Sequence, residues 1–309
     1  MFRKPTAIVL GAGASAPYGF STGGGLVEKA LSIGDGGLQR ASAGILQPHE
    51  VNPLLDALRM AMTPSIDALL EHRDVFRETG KRVISALLLD EESAALSKRI
   101  DGNTDWMHWL FSKMVAGTSS LQDFVSNSVH FITFNYDRLL EYRFVNALHA
   151  QYGETKEQCW QFLRRMSIIH LHGSIGPPFD PAPNCIQVIP FGTREPAHID
   201  GAMSNATKTI SIVHDAKEKE EPFPSAHRIL QAVEQVLFLG FGLGEENTRR
   251  LALDRISDSA DIYYSAFGMI GREIDLAKRN FRARQGGALL TRGEEDIRSF
   301  LRRNATIVC

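Results

Sequence analysis

The sequence predicts an α/β protein built on a doubly wound, mostly parallel sheet, and three observations carry that expectation. Short apolar runs alternate along the chain with stretches of helical character. Several of those runs stop abruptly at glycine or small polar residues. The composition, 43% hydrophobic and 23% charged over 309 residues, is that of an ordinary globular chain with room for one large domain or two modest ones. Strands that alternate with helices favour a parallel sheet covered on both faces.

The elements follow in order. Residues 6–10, TAIVL, form a continuous apolar run bounded by turn residues and read as a short buried strand. Glycine-rich sequence follows, and a helix opens over residues 25–33. Residues 34–50 read as a loop. From 53 to about 116 the pattern is helical, with Thr63 as N-cap, Pro64 at the first helical position and Asp67 in the first turn. A second strand is predicted at 129–134, a helix at 136–151, and a third strand at 166–172 that runs into a proline-rich loop over 173–183. Residues 215–224 read as a solvated surface segment. A fourth strand, 235–240, leads through FGLGEEN into a helix at 248–256. Later strand candidates lie at 260–268 and 286–291, and a helix at 294–303 closes the pattern. The whole chain, 1–309, reads as one domain in which the helical block from about 35 to 120 is an insertion capping the sheet.

Charge and cysteine usage narrow the function classes. A formal net charge of −2 provides no global field toward nucleic acid or membrane. The basic C-terminal stretch, AKRNFRARQ with LRRN, is mixed with Glu294, Glu295 and Asp296 and reads as a solvated helical face, so direct nucleic-acid contact is not expected. Cys159, Cys185 and Cys309 are far apart and form no CxxC pair, which supports neither a disulfide framework nor a four-cysteine zinc site. The first residues, MFRKPTAIVLGAGASA, imitate a signal peptide, but Gly11 and Gly13 already interrupt the apolar core. No run approaches the roughly 20 apolar residues of a membrane helix. The expectation is a cytoplasmic protein that does not engage a membrane.

In doubly wound sheets, ligands bind beyond the carboxyl ends of the strands, so four strand ends matter. The first is Gly11-Ala12-Gly13-Ala14-Ser15, where glycine lets backbone N–H groups approach a phosphate. Its fit to a dinucleotide fingerprint is incomplete: the third glycine is displaced to Gly19, and no acidic residue ends a second strand about 20 residues later. An ordinary glycine turn is the competing reading. The second end is Phe134-Asn135-Tyr136-Asp137, where Asn and Asp could also be helix caps. The third is His170-Leu171-His172-Gly173-Ser174. Strand alternation puts His170 and His172 on one face, with only His172 at the very end. The fourth, Gly240-Phe241-Gly242-Leu243-Gly244, is another place for close backbone approach.

Taken in order, GAGAS, N-x-D, HG and a late glycine-rich strand end resemble the sirtuin NAD-binding fold. The wording is most similar to the sirtuin-like NAD hydrolases of bacterial antiphage defence, over roughly residues 5–305, in YGFxTG, TFNYDxLLE, HLHGS and GFGxGEEN. The resemblance implies a Rossmann-like, sirtuin-type fold in which Gly11, Ala12, Gly13 and Ser15 hold the pyrophosphate and nearby ribose, with Thr22 added to the binding set. It implies Asp137 at the nicotinamide carboxamide, Asn135 and His172 as the catalytic pair at the nicotinamide ribose, and Gly240, Phe241 and Gly242 at the adenosine half. Asp67 is a further family position. The four-cysteine zinc module of protein-deacylating sirtuins has no counterpart, and no metal is expected. The activity so implied is NAD+ glycohydrolysis, with NAD+ as substrate, in abortive infection. Two alternatives stay open: a deacylase or ADP-ribosyltransferase, and a non-catalytic NAD or ADP-ribose module. A homo-oligomer and an activating protein partner, such as an ATPase or a nucleic-acid-guided protein, are also expected.

Overall fold

The computed structural model describes residues 2, 4–179, 187–212, 220–281, 288–290 and 295–304. Its centre is a single sheet in which all paired strands run parallel: β1 (Thr6–Leu10), β2 (Val129–Thr133), β3 (Ile168–His170), β4 (Gln235–Leu239), β5 (Asp261–Tyr264) and β6 (Ala288–Leu290). The spatial order is β3-β2-β1-β4-β5-β6. The chain therefore winds outward from β1 in one direction and then, from β4, in the other. Between those two strands a crevice opens at the carboxyl edge. Leu10 is level with Thr133 on one side and Leu239 on the other, so the three central strands end at a common edge.

Thirteen α-helices lie among the described residues. Between β1 and β2 come α1 (Gly23–Ala41), α2 (Pro48–Ala61), α3 (Ile66–His72), α4 (Arg77–Ser97), α5 (Trp106–Met114) and α6 (Leu121–Phe124). Beyond β2 follow α7 (Leu139–Tyr152) and α8 (Lys156–Leu163), then, after β3, α9 (Pro196–Thr209) and α10 (Phe223–Ala232). The last three are α11 (Glu245–Leu251), α12 (Gly271–Phe281) and α13 (Ile297–Arg303).

Strand alternation sorts the core into two layers. Ile8, Leu10, Phe131, Leu237 and Leu239 face a large cluster shared with α1–α5 and α7–α9. Ala7, Val9, Ile132, Val236, Phe238 and Ile262 face the second cluster, with Phe223, Ala226 and Leu230 of α10. Burial on both faces is why these strands read as unbroken apolar runs. Each large side chain so buried contributes about 1.5–3 kcal/mol.

Several sequence expectations need correction. The loop predicted for 34–50 is confined to residues 42–47: α1 continues through a break at Gly34, whose φ of 61° only glycine takes easily, because Leu38 and Ala41 beyond it are buried. The N-cap of α3 is Ser65, whose Oγ accepts from the Ala68 N–H at 3.1 Å. Thr63 instead donates to the Ser65 carbonyl. The third strand stops at His170, two residues short of expectation. Helices α8, α9 and α10 occupy stretches where the sequence reading placed none. Residues 180–183 of the proline-rich stretch, 215–219 of the charged segment, 282–285 of the basic run, Cys185 and Cys309 lie outside the described residues. Cys159 is buried.

A buried ion pair ties the helical segment to the sheet. Arg138, at the start of α7, donates Nε and Nη2 to the two carboxylate oxygens of Glu92 on α4, at 2.9 and 2.6 Å. Both side chains are at most 1% exposed. The third guanidinium nitrogen reaches the carbonyls of Gly176 and Ile189. No helix among the described residues is long and apolar enough to cross a membrane.

Candidate functional site

At the crevice between β1 and β4 lies a cleft of about 620 Å³. It brings together Gly11, Ala12, Gly13, Thr22, Asn135, Asp137, His172, Gly240, Phe241 and Gly242, so ten of the sequence-predicted residues line one cavity. Ser15 does not: it is 2% exposed and sits beneath the wall. A larger groove, about 1000 Å³, runs along edge strand β3, but neither the Gly11–Gly13 loop nor the Gly240–Gly244 loop borders it. The chemistry-bearing residues therefore select the smaller cleft.

The glycines at its floor are demanded first by each other. A Cβ at Gly240, whose φ is 61°, would stand 2.1 Å from the Ala14 nitrogen, and one at Gly11 would stand 2.5 Å from the Gly240 carbonyl oxygen. The Gly13 N–H donates to that same carbonyl at 3.0 Å. Two strand-end loops thus pack backbone on backbone. Gly242 and Gly244 differ, since a Cβ at either would meet nothing within 4 Å. Between them Leu243 takes φ 51°, an uncommon conformation for a side chain of its size. These positions line open space rather than protein.

Asn135 follows β2 and is fixed by three bonds. Its Nδ2 donates to the Gly11 carbonyl at 3.1 Å and to Ser15 Oγ at 3.2 Å, and its backbone N–H donates to Thr133 Oγ1. Ser15 in turn donates to the Asp137 carboxylate, which also accepts the Leu139 N–H at the start of α7 at 3.1 Å. Burial lifts the Asp137 carboxyl from its ordinary 3.8 to about 6. Ser15, Leu139 and His170 oppose that rise, while Glu141 adds to it.

His172 lies in a cage of rings, with Phe134, Phe223 and Tyr136 centred 5.6, 6.1 and 6.4 Å away. Its Nε2 is 3.3 Å from Asn247 Oδ1 on α11. Its Nδ1 is buried, and the Ser211 main chain also hydrogen-bonds the ring. Burial, with the charge of Arg250, pulls its pKa down to about 4. His172 is thus neutral at physiological pH. Nε2, the nitrogen beside Asn247, is the one on the side of the cleft wall.

His170 and His172 do not share a face, contrary to the alternation argument. The strand ends at His170, and Gly173 turns the chain at φ 76°. His170 points to the groove side, with Nε2 2.6 Å from Glu141 Oε1 and Nδ1 2.9 Å from the Asn135 carbonyl oxygen. Four participants escaped the sequence reading of the site: Tyr136, Asn247, Glu141 and the contact made by His170. Asn247, in the GEEN stretch, and Tyr136 and His170, in the second and third strand ends, had a signal in their position; Glu141 had none. Asp67 reaches the cleft from α3 and accepts the Tyr136 hydroxyl at 2.6 Å, and burial raises its carboxyl above the ordinary value.

Among the described residues no group of three or more His, Cys, Asp or Glu side chains is placed to hold a metal ion. Residues 129–281 match a family model described as the SIR2-like domain. The match runs from β2 to α12, and so takes in Asn135, Asp137, His172 and the Gly240–Gly244 loop. No curated protein matches the chain. Over these residues the chain is similar to the SIR2-like domain, and that similarity supports binding and use of NAD+.

Proposed function

We propose that the protein is an NAD+ glycohydrolase that cleaves NAD+ to nicotinamide and ADP-ribose. The observation that carries this reading is the convergence of Asn135, Asp137 and His172 on one cleft at the crevice of a SIR2-like sheet. The cleft has the dimensions of a small-molecule site, and Gly242 and Gly244 leave its wall open to close approach. His172 Nε2 lies beside Asn247 on the cleft wall, within reach of a ribose hydroxyl. The residues present therefore fit a nucleotide that brings hydroxyl groups.

The reaction breaks the bond between C1′ of the ribose and the nicotinamide nitrogen. The leaving group departs neutral, taking the bonding pair, and water adds at C1′ with release of one proton. The transition state is oxocarbenium-like, as in glycoside hydrolysis. The Asp137 carboxylate accepts from the carboxamide NH₂ and fixes the leaving group. The Asn135 side chain, already anchored through Nδ2, offers Oδ1 to a ribose hydroxyl or the attacking water. Neutral His172 accepts a proton, help typically worth ~10²–10⁴ in rate.

The biological role proposed is depletion of NAD+ on phage infection, in the cytoplasm. An unregulated hydrolase would drain its host, so we propose that activity is gated by self-association or by an activating protein partner, such as an ATPase or a nucleic-acid-guided protein. Moving a 1:99 equilibrium to 99:1 takes about 5.5 kcal/mol, within reach of an extended protein interface. The deciding experiment incubates purified protein with NAD+ across protein concentration and identifies products by mass. Free ADP-ribose, with specific activity rising on assembly, is expected. Nicotinamide release only in the presence of an acyl-lysine peptide would overturn the hydrolase reading, and full activity from an isolated monomer would overturn the gating.

A further inference from the structure

His170 lies outside the cleft, yet both of its ring nitrogens are committed. Nε2 meets Glu141 Oε1 at 2.6 Å and Nδ1 meets the Asn135 carbonyl oxygen at 2.9 Å. Neither partner can donate: one is a carboxylate, the other a main-chain carbonyl. A neutral imidazole has one N–H, so it satisfies only one of them. Two acceptors at these distances require both nitrogens protonated. We infer that His170 is a positioning residue for this site, a buried imidazolium that holds Asn135 through its main-chain carbonyl and places a positive charge beside Asp137.

The surroundings agree. Burial alone would push His170 toward the neutral form, but Glu141, the Asn135 carbonyl and Asp137 outweigh it, and the net direction is upward. The other charged groups near the pair are occupied or remote in role. Arg138, next along α7, is spent on Glu92, and His130 and Arg164 line the outer groove. Asp137 itself faces the Ser15 hydroxyl, the Leu139 N–H, Glu141 and His170. His170 is the cation in that set, and its charge favours the ionised carboxyl against burial. The catalytic asparagine and the carboxylate two residues later thus depend on a side chain that never enters the cleft. This assignment rests on the reading of Asn135 and Asp137 as the groups that handle NAD+.

Two variants separate the hydrogen bond from the charge. His170→Asn places an amide nitrogen near the former Nδ1 and keeps the bond to Asn135 without the charge. His170→Phe keeps the ring and removes both. In the unliganded protein, the Asp137 carboxyl is followed by carbon NMR during a pH titration, a readout that needs no activity. NAD+ cleavage is measured over the same pH range. Asp137 titrates higher in both variants. The acid limb of the cleavage profile moves up by the same amount, and the maximal rate falls tenfold or more only in His170→Phe. An unchanged Asp137 titration in folded variants overturns the inference, whatever the protein does with NAD+. So does a shifted titration with a wild-type rate in His170→Phe.

Discussion

Replacing Asp137 by Asn should make the protein relatively more stable as the pH rises, and the size of the effect follows from its surroundings. In the folded chain burial holds this carboxyl at about 6, against an ordinary 3.8. An acid whose folded value is raised binds more protons folded than unfolded between those two values. Stability from this group is therefore complete below about pH 4 and is lost as the pH climbs through 6. The gap is about 2 pH units, and at about 1.4 kcal/mol per unit the wild type loses about 3 kcal/mol across that window. Asn does not titrate, so the variant escapes the loss. The assay is urea denaturation of both proteins at intervals from pH 4 to pH 8, taking the difference in unfolding free energy at each pH. Common contributions from other groups cancel in that difference. It should shift in favour of Asp137→Asn by up to about 3 kcal/mol between pH 4 and pH 7. His170, common to both proteins, softens the curve without reversing it. Parallel stability curves for the two proteins would refute the reasoning, because the carboxyl would then carry no penalty for ionisation in its folded setting. The same variant should lose NAD+ cleavage, a gain in stability at the expense of the site.

The wild-type cleavage profile should rise with an acid limb near pH 6 and stay flat from 7 to 8, since His172 at about 4 does not titrate there; a basic limb near 7 would mean that a different group limits the rate. Asn135→Ala and His172→Ala should each lose more than a hundredfold in NAD+ cleavage while thermal unfolding stays close to wild type, and retention of a tenth of the rate would remove that residue from the chemistry. Gly240→Ala should fail to fold or be severely destabilised, because its Cβ would stand 2.1 Å from the Ala14 nitrogen. Gly242→Ala, with nothing within 4 Å, should melt like wild type and weaken only NAD+ binding, as calorimetry would report. Glu92→Gln should cost about 3–5 kcal/mol in urea denaturation, the penalty for leaving a buried guanidinium without its carboxylate; a loss under 1 kcal/mol would show the pair to be dispensable.

The central sheet was legible because its strands are buried on both faces and so spell continuous apolar runs, as in TAIVL and QVLFL. Their ends were legible because glycine must stand where two loops touch backbone to backbone. The helices of the outer layer were harder. In α9 the buried positions Ile199, Ala202, Met203 and Ala206 keep helical spacing, with Pro196 at the first turn, but glycine, serine and asparagine between them dilute the pattern. The histidine pair was misread for a different reason. Alternation holds only while a strand lasts, and β3 lasts three residues. Its partner β2 ends at Thr133, and Gly173 then turns the chain where a Cβ would strike the Thr209 carbonyl. What no single sequence discloses is pairing at a distance. Tyr136 and Asp67 are 69 residues apart, and Glu92 and Arg138 are 46 apart.

Those distant pairs share a direction. Asp67, Glu91 and Glu92 all lie on α3 and α4, and each reaches a residue beside the cleft. Asp67 accepts from Tyr136, which stands between Asn135 and Asp137. Glu91 accepts from both the backbone N–H and the hydroxyl of Ser21, next to Thr22 on the cleft wall. Glu92 grips Arg138, the residue after Asp137. Three carboxylates on adjoining helices therefore hold two of the loops that form the cleft. A load applied to α3 and α4 by a neighbouring molecule has a short route to the positions of Thr22, Asn135 and Asp137. The route acts through contacts that are either made or broken, because a buried carboxylate loses its partner at a cost of several kcal/mol. The gating proposed above would need a packed element with two arrangements, and it would have to act on contacts of this kind. Under that proposal, the helices that wall the cleft are where an assembly contact would act.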